Sequence, residues 1–167
     1  MIDPVKTLQA KFPDDTGTVE QPSVRRAYVD ITAARVKDIA LFVFENLGAR
    51  LVTMTAVETT RGMELLYHFS FDLAGIIVTL RAIATMPEPR IDSISCIIDG
   101  AEYIEREVAD LFGVEFVGHP NAVRFLLADD WPQGVYPYRK EYRGKYPYRT
   151  EEELDEVREE MRRRWAK

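Results

Sequence analysis

Cysteine is all but missing from this chain: Cys96 stands alone among 167 residues. A single thiol forms no internal disulfide, and cannot by itself hold an iron–sulfur cluster or a structural zinc. Its neighbours Ile94, Ile97 and Ile98 predict a buried, inert side chain. Histidine is nearly as scarce, with only His68 and His119. Long apolar runs are absent too. The most apolar stretch, Ile76-Ile77-Val78-Thr79-Leu80, is stopped by Arg81, far short of the roughly 20 residues a spanning helix needs. Asp3, Lys6 and Lys11 interrupt the N-terminus, which lacks the apolar core of a secretion signal. The expected address is therefore cytoplasmic, with any membrane association made through a partner. No G-x-S-x-G, no strand-linked G-x-G-x-x-G and no Walker loop occurs, so serine-nucleophile, dinucleotide and P-loop chemistries lack their frames. Excess positive charge is missing as well: 22 Lys and Arg face 28 Asp and Glu, a net charge of −6. Such a chain lacks the basic field that meets nucleic-acid phosphates.

What is present is an ordinary soluble composition, 46% hydrophobic and 30% charged, at single-domain length. Val5, Leu8 and Phe12 predict a short helix over residues 4–12, and the polar, turn-rich stretch from Pro13 to Pro22 reads as a loop. Ala27, Val29 and Ile31 alternate with polar residues, as a strand does. Thr32 stands at an N-cap position before Val36, Ile39, Ala40, Val43 and Leu47, and Gly48 closes that helix. Arg50 to Glu58, Met63 to Asp72 and Ile76 to Ala84 read as three strands, with turns at Arg61-Gly62 and Ala74-Gly75. Residues 92–98 fit either state. Ala101, Ile104, Val108, Leu111 and Phe112 form one helical stripe that Gly113 ends. The expected fold is α/β of the α+β kind: a small antiparallel or mixed sheet covered by helices on one face, with an extended C-terminal arm and a terminal helix. Residues 1–118 form the compact domain, and 119–167 the arm and helix.

The terminal helix is signalled by a capping box, Thr150 with Glu153, by acids at its start and by Arg162, Arg163, Arg164 and Lys167 at its end. Leu154, Val157, Met161 and Trp165 make a narrow stripe. That stripe fits either packing on the chain's own domain or docking in a partner groove.

Carboxylates crowd the helix before Gly113: Glu102, Glu105, Glu107 and Asp110. No Glu-x-x-His pair is present to suggest a di-iron site. Glu102–Arg106 and Arg106–Asp110 are spaced for i, i+4 salt bridges. His119, in Gly-His-Pro, reads as a structural histidine bonded to a carboxylate or carbonyl, or else as a general base. His68 belongs on the polar face of its strand. After residue 120, Arg124, Arg139, Lys140, Arg143 and Lys145 interleave with Phe125, Trp131, Tyr136, Tyr138, Tyr142 and Tyr146. Such a mixture suits either single-stranded nucleic acid or a protein interface. The acidic balance and Asp129-Asp130 favour protein. Pro120, Pro132, Pro137 and Pro147 keep the arm extended.

At these residues the chain resembles the 30 kDa subunit family of respiratory complex I, which includes accessory subunits of energy-converting [NiFe] hydrogenases. The resemblance rests on Glu105-Arg106-Glu107, Asp110-Leu111-Phe112 and His119 after a six-residue gap. It continues through Arg124, Phe125-Leu126-Leu127, Asp130-Trp131 and Pro137-Tyr138-Arg139-Lys140-Glu141-Tyr142. The Gly134-Val135-Tyr136-Pro137 turn looks closer to the hydrogenase-type members.

The resemblance implies a non-catalytic hydrophilic-arm subunit, with no catalytic, cofactor or metal residue of its own. Iron–sulfur clusters, or a nickel–iron centre, would sit in partner chains. Electrons would run there from ferredoxin or a nicotinamide donor to protons or a quinone, driving ion translocation. The partners implied are the large catalytic subunit and the other hydrophilic-arm subunits, on the cytoplasmic side of the cell membrane. The residues implied for partner binding or signature are Glu105, Arg106, Glu107, Asp110, His119, Arg124, Asp130, Trp131, Arg139 and Lys140. The Glu105–Asp110 segment would hold the arm in register by ionic pairing with its basic residues, and Arg124, Trp131, Arg139 and Lys140 would anchor the large subunit. The rival readings are a stand-alone enzyme using Glu105, Glu107 and His119 as acid–base groups, and a small-ligand regulatory domain.

Overall fold

The computed structural model describes residues 3–142 together with residues 155, 158, 159, 162 and 163. The capping box and apolar stripe expected of the terminal helix lie outside the described residues, as do Arg143, Lys145 and Tyr146.

Helix α1, Pro4–Lys11, starts where the Asp3 carboxylate accepts the Val5 and Lys6 N–H groups at 3.1 and 3.2 Å. Its Val5 and Leu8 enter the core. Strands β1 (Thr16–Ser23) and β2 (Arg26–Ile31) form an antiparallel hairpin. The loop expected over Pro13–Pro22 is thus in large part a strand. β1 is an edge strand whose residues are mostly exposed, so no apolar alternation marks it and pairing to β2 alone makes it a strand. Arg81 fastens this edge, donating to Asp30 on β2 and, at 2.8 Å, to Glu20 on β1.

The connection after β2 is a 3₁₀ turn, Ala33–Arg35, then helix α2, Val36–Leu41, then one π turn, Phe42–Asn46. The Thr32 side chain makes no capping hydrogen bond, contrary to its reading as an N-cap, because the 3₁₀ turn displaces the first α-helical turn. Val36, Ile39, Ala40 and Val43 are buried as their spacing requires.

Strands β3 (Arg50–Glu58), β4 (Met63–Phe71) and β5 (Ile76–Ala84) follow as a meander. The five-stranded sheet has the order β1-β2-β5-β4-β3, with β2 parallel to β5 and the other neighbours antiparallel. The fold is therefore α+β with a mixed sheet. Met63, Leu65, Tyr67, Phe69 and Phe71 of β4 are all buried, while the residues between them are half-buried. His68 is on that second face, between Thr79 Oγ1 at 2.8 Å and Thr55 Oγ1 at 3.3 Å.

The ambiguous 92–98 region resolves into the end of β6, Arg90–Asp92, followed by a turn. β6 pairs in parallel with β7, Glu115–Val117. Cys96 is exposed rather than buried: the turn sends Ile94 and Ile98 inward and the thiol outward. Helix α3, Ala101–Phe112, packs against β3 and ends at Gly113, whose φ of +70° is the left-handed conformation that glycine tolerates best.

Candidate functional site

The charged helix α3 brings the signature residues to the segment that follows β7. Glu105 is wholly buried. Its carboxylate accepts the Ser93 hydroxyl at 2.5 Å and the Ile94 N–H at 2.7 Å. Burial pushes its pKa up from the ordinary value, and the Ser93, Ile94, His119 and Ser95 groups oppose that rise. The carboxylate thereby ties the turn after β6 to α3.

His119 lies 3.8 Å from Glu105. Its Nδ1 accepts the Asn121 N–H at 3.0 Å, which leaves the proton on Nε2 to face the Glu102 carbonyl at 3.1 Å. Both ring nitrogens are engaged within the chain, and the side chain is 2% exposed. Glu107, two positions beyond Glu105, is on the exposed side of α3. Glu105, Glu107 and His119 do not converge on one open space.

The next contacts differ from the ionic ladder expected along α3. Arg106 pairs with neither Glu102 nor Asp110. Its guanidinium donates to the Val123 carbonyl at 3.0 Å and the Arg124 carbonyl at 3.3 Å, and lies over the Phe125 ring, 4.7 Å from its centre. Asp110 Oδ2 accepts three successive backbone N–H groups, from Phe125, Leu126 and Leu127, at 2.8, 2.7 and 3.2 Å. Glu102 accepts from the Asn121 side chain at 3.1 Å. One helix face thus grips both donors and acceptors of the following backbone. The cause is the bend at residues 118–123, which carries unpaired peptide groups past α3 where i, i+4 partners would otherwise meet. The helix meets the segment through peptide hydrogen bonds rather than through ion pairs with its basic residues.

Further along, Arg124 gathers the Ala128 and Trp131 carbonyls at 2.8 and 3.0 Å, and Trp131 Nε1 donates to the Val135 carbonyl at 2.8 Å. Arg139 is buried, with Nε on the Phe112 carbonyl at 2.5 Å. The Lys140 N–H reaches Glu58 on β3 at 2.7 Å, while the Lys140 residue stays exposed, as does Asp130. Tyr136 lies so close over Gly113 that a methyl group there would overlap its ring. A cleft of about 390 Å³ remains between α3, β7 and this segment, lined among others by Asp110, His119, Arg124 and Tyr136.

Several of these groups escaped sequence reasoning. Ser93 and the Ile94 N–H bind Glu105, Ser95 bonds to Ser93, and Tyr67, whose buried hydroxyl has no hydrogen-bond partner among the described residues, lies in the same region of charge as Glu105 and Asp92. Two serines alternating with isoleucine were the available signal. Among the described residues no group of three or more His, Cys, Asp or Glu is placed to hold a metal, and no helix is long and apolar enough to cross a membrane.

The gripped segment leaves apolar side chains on the outside. Tyr103, Val123, Phe125, Leu126 and Tyr138 are exposed, Phe125 at 44% and Tyr138 at 61%. The Phe125 and Tyr103 rings are 5.6 Å apart.

Fold and site together define a class: small α+β domains in which a charged helix grips the irregular backbone that follows it. Residues 29–148 match the family described as Respiratory-chain NADH dehydrogenase, 30 Kd subunit, and the chain belongs to that family. It is 39% identical over 124 residues to a subunit of the NADH-quinone oxidoreductase of Geobacter sulfurreducens, across 70% of this chain and 75% of that protein. It is 30% identical over 155 residues to a subunit of the F(420)H(2) dehydrogenase of Methanosarcina mazei, across 90% of this chain and 96% of that one. Its fold is similar to a chain in the structure of the membrane-bound sulfane sulfur reductase, an archaeal respiratory membrane complex. There the TM-score is 0.74 at 25% identity, over 93% of this chain and 88% of that chain.

Proposed function

We propose that this chain is a non-catalytic, peripheral subunit of a membrane-bound, complex-I-like oxidoreductase, seated on the large catalytic subunit through α3 and residues 119–142. The observation that carries the reading is the apolar face of Tyr103, Val123, Phe125 and Leu126, held outward by Arg106 and Asp110 through peptide hydrogen bonds. A solvent-exposed aromatic cluster on a fixed backbone suits docking, because its ordering cost is met before the partner arrives. Glu105, His119 and Arg124 act inside the chain by shaping that face, whereas Glu107, Asp130, Trp131, Lys140 and Tyr138 belong to the contact surface.

Similar chains carry names with different electron donors, NADH and F420H2. That suits a subunit whose task does not depend on the donor. The same names favour a dehydrogenase over a hydrogenase. Iron–sulfur clusters, and any nickel–iron centre, belong to other chains of the complex, as does ion translocation. Membrane attachment, on the cytoplasmic side, runs through those chains.

The test is affinity purification of the tagged chain from detergent-solubilised membranes, with the partners identified by mass spectrometry. Aspartate at both Phe125 and Leu126 removes two central apolar contacts, each worth about 2 kcal/mol if it acts as a hot spot. The double variant is expected to stay folded and to leave the complex. Its retention at full occupancy, or turnover by the chain alone, refutes the proposal.

A further inference from the structure

Arg139 is 7% exposed, yet among the described residues no carboxylate pairs with it. Its partners are all neutral: the Phe112 carbonyl, the Met86 thioether sulfur at 3.4 Å and the Tyr136 ring, whose centre is 5.3 Å away. Arg106 and Arg124 also bond to carbonyls, but each is only half-buried, while several other arginines have carboxylate partners. Arg81 has Asp30 and Glu20, and Arg90 holds Glu115 by two bonds at 2.9 and 3.0 Å. A guanidinium so nearly buried without a counter-charge is rare, because desolvation is then uncompensated. A sulfur is a weak acceptor and leaves much of the planar fork unused.

Arg139 borders a cleft of about 260 Å³, walled by Pro87, Glu88, Pro89, Tyr136 and the Arg90–Glu115 pair. That pair is already neutralised, which leaves Arg139 and the exposed Glu88 as the other charges of the cleft, and the two form no ion pair. Tyr138 and Lys140, on either side of Arg139, are exposed and continue the face described above.

We propose that this cleft receives an aspartate or glutamate side chain of the neighbouring subunit, which pairs with the Arg139 fork. The inference rests on the docking reading and sharpens it, naming the chemistry of one contact. A guanidinium takes a carboxylate through two parallel bonds, and burial at an interface makes such a pair selective. The rival occupant is Glu88 of the chain itself, exposed at the rim of the cleft.

Arg139→Lys places an amine in the cleft, and zero-length carbodiimide cross-linking of the purified complex, with peptide mass spectrometry, then reads its neighbour. The expected product joins that position to a carboxylate of another subunit. A link to Glu88 or to any other acid of the same chain overturns the inference, as does an assembled complex with no link there. Arg139→Gln is the second variant. With an unchanged near-ultraviolet circular dichroism spectrum, it is expected to dissociate from the complex at a tenfold or greater excess over the wild-type fraction. Wild-type occupancy for Arg139→Gln overturns the carboxylate site and leaves the docking reading standing. A wild-type chain that purifies alone removes both.

Discussion

Asp110→Ala is the most direct probe of how α3 governs the segment after it. One carboxylate oxygen accepts three consecutive N–H groups there, at 2.8, 2.7 and 3.2 Å. A hydrogen bond to a charged acceptor contributes about 1.5–3 kcal/mol when buried. Phe125 and Leu126 are exposed, so water takes over the freed amides and each bond is worth nearer ~1 kcal/mol. The three together make the local opening of residues 123–127 easier by about 3 kcal/mol, a factor of roughly 150 in the opening equilibrium. Native-state hydrogen exchange reads this directly. The amides of Phe125, Leu126 and Leu127 are expected to exchange about a hundred times faster, while amides in β4 and β5 keep their rates. Asp110→Asn keeps an acceptor but loses the charge, and is expected to fall between. Unchanged exchange at those amides in Asp110→Ala would show that Arg106 and the turns alone fix the segment, and the clamp argument would fail.

Other substitutions test the interior. Burial raises the Glu105 pKa above its ordinary value near 4.5, so the folded protein keeps that proton longer than the unfolded chain. Its stabilising contribution is then complete below pH 4.5 and is lost as pH rises through the folded value. Glu105→Gln keeps an acceptor for the Ile94 N–H, while its amide N–H donates to Ser93 Oγ instead of accepting from it, and its denaturation free energy is expected to lack that decline; parallel pH profiles for the two proteins would refute the assignment. Gly113→Ala combines a left-handed backbone with overlap of the Tyr136 ring, for a loss of about 3 kcal/mol and a Tm drop near ~10 °C. Removing the ring by Tyr136→Ala is expected to make the Gly113 change cheaper, and strict additivity in the double mutant would count against the contact. Tyr67→Phe deletes a buried hydroxyl without a hydrogen-bond partner among the described residues, so urea denaturation is expected to show equal or greater stability, by up to about 1 kcal/mol. A clear loss would mean that the hydroxyl is hydrogen-bonded.

Periodicity carried the regular elements. The alternation from Met63 to Phe71 and the stripe from Ala101 to Phe112 specify a strand and a helix whatever surrounds them, because burying one face satisfies every residue at once. Glycine at 113 marked a helix end for the same local reason. β1 was hidden, since an exposed edge strand needs no apolar code and exists by pairing with β2. Cys96 misled because three isoleucines surround it in sequence, and only the turn after β6 decides which side chains face inward.

The candidate site divides along the same line. Which residues are charged, aromatic or able to bind peptide groups was legible from Glu105 to Lys140. Who their partners are was not. Arg106 and Asp110 stand one helical turn apart and could have paired, yet residues 123–127, brought back across α3, present bare carbonyls and amides to both. Short-range order along a chain follows from the residues themselves. Long-range contacts such as Glu105 with Ser93, Tyr136 with Gly113 and Lys140 with Glu58 exist only once the sheet and α3 have packed and fixed the chain's return path.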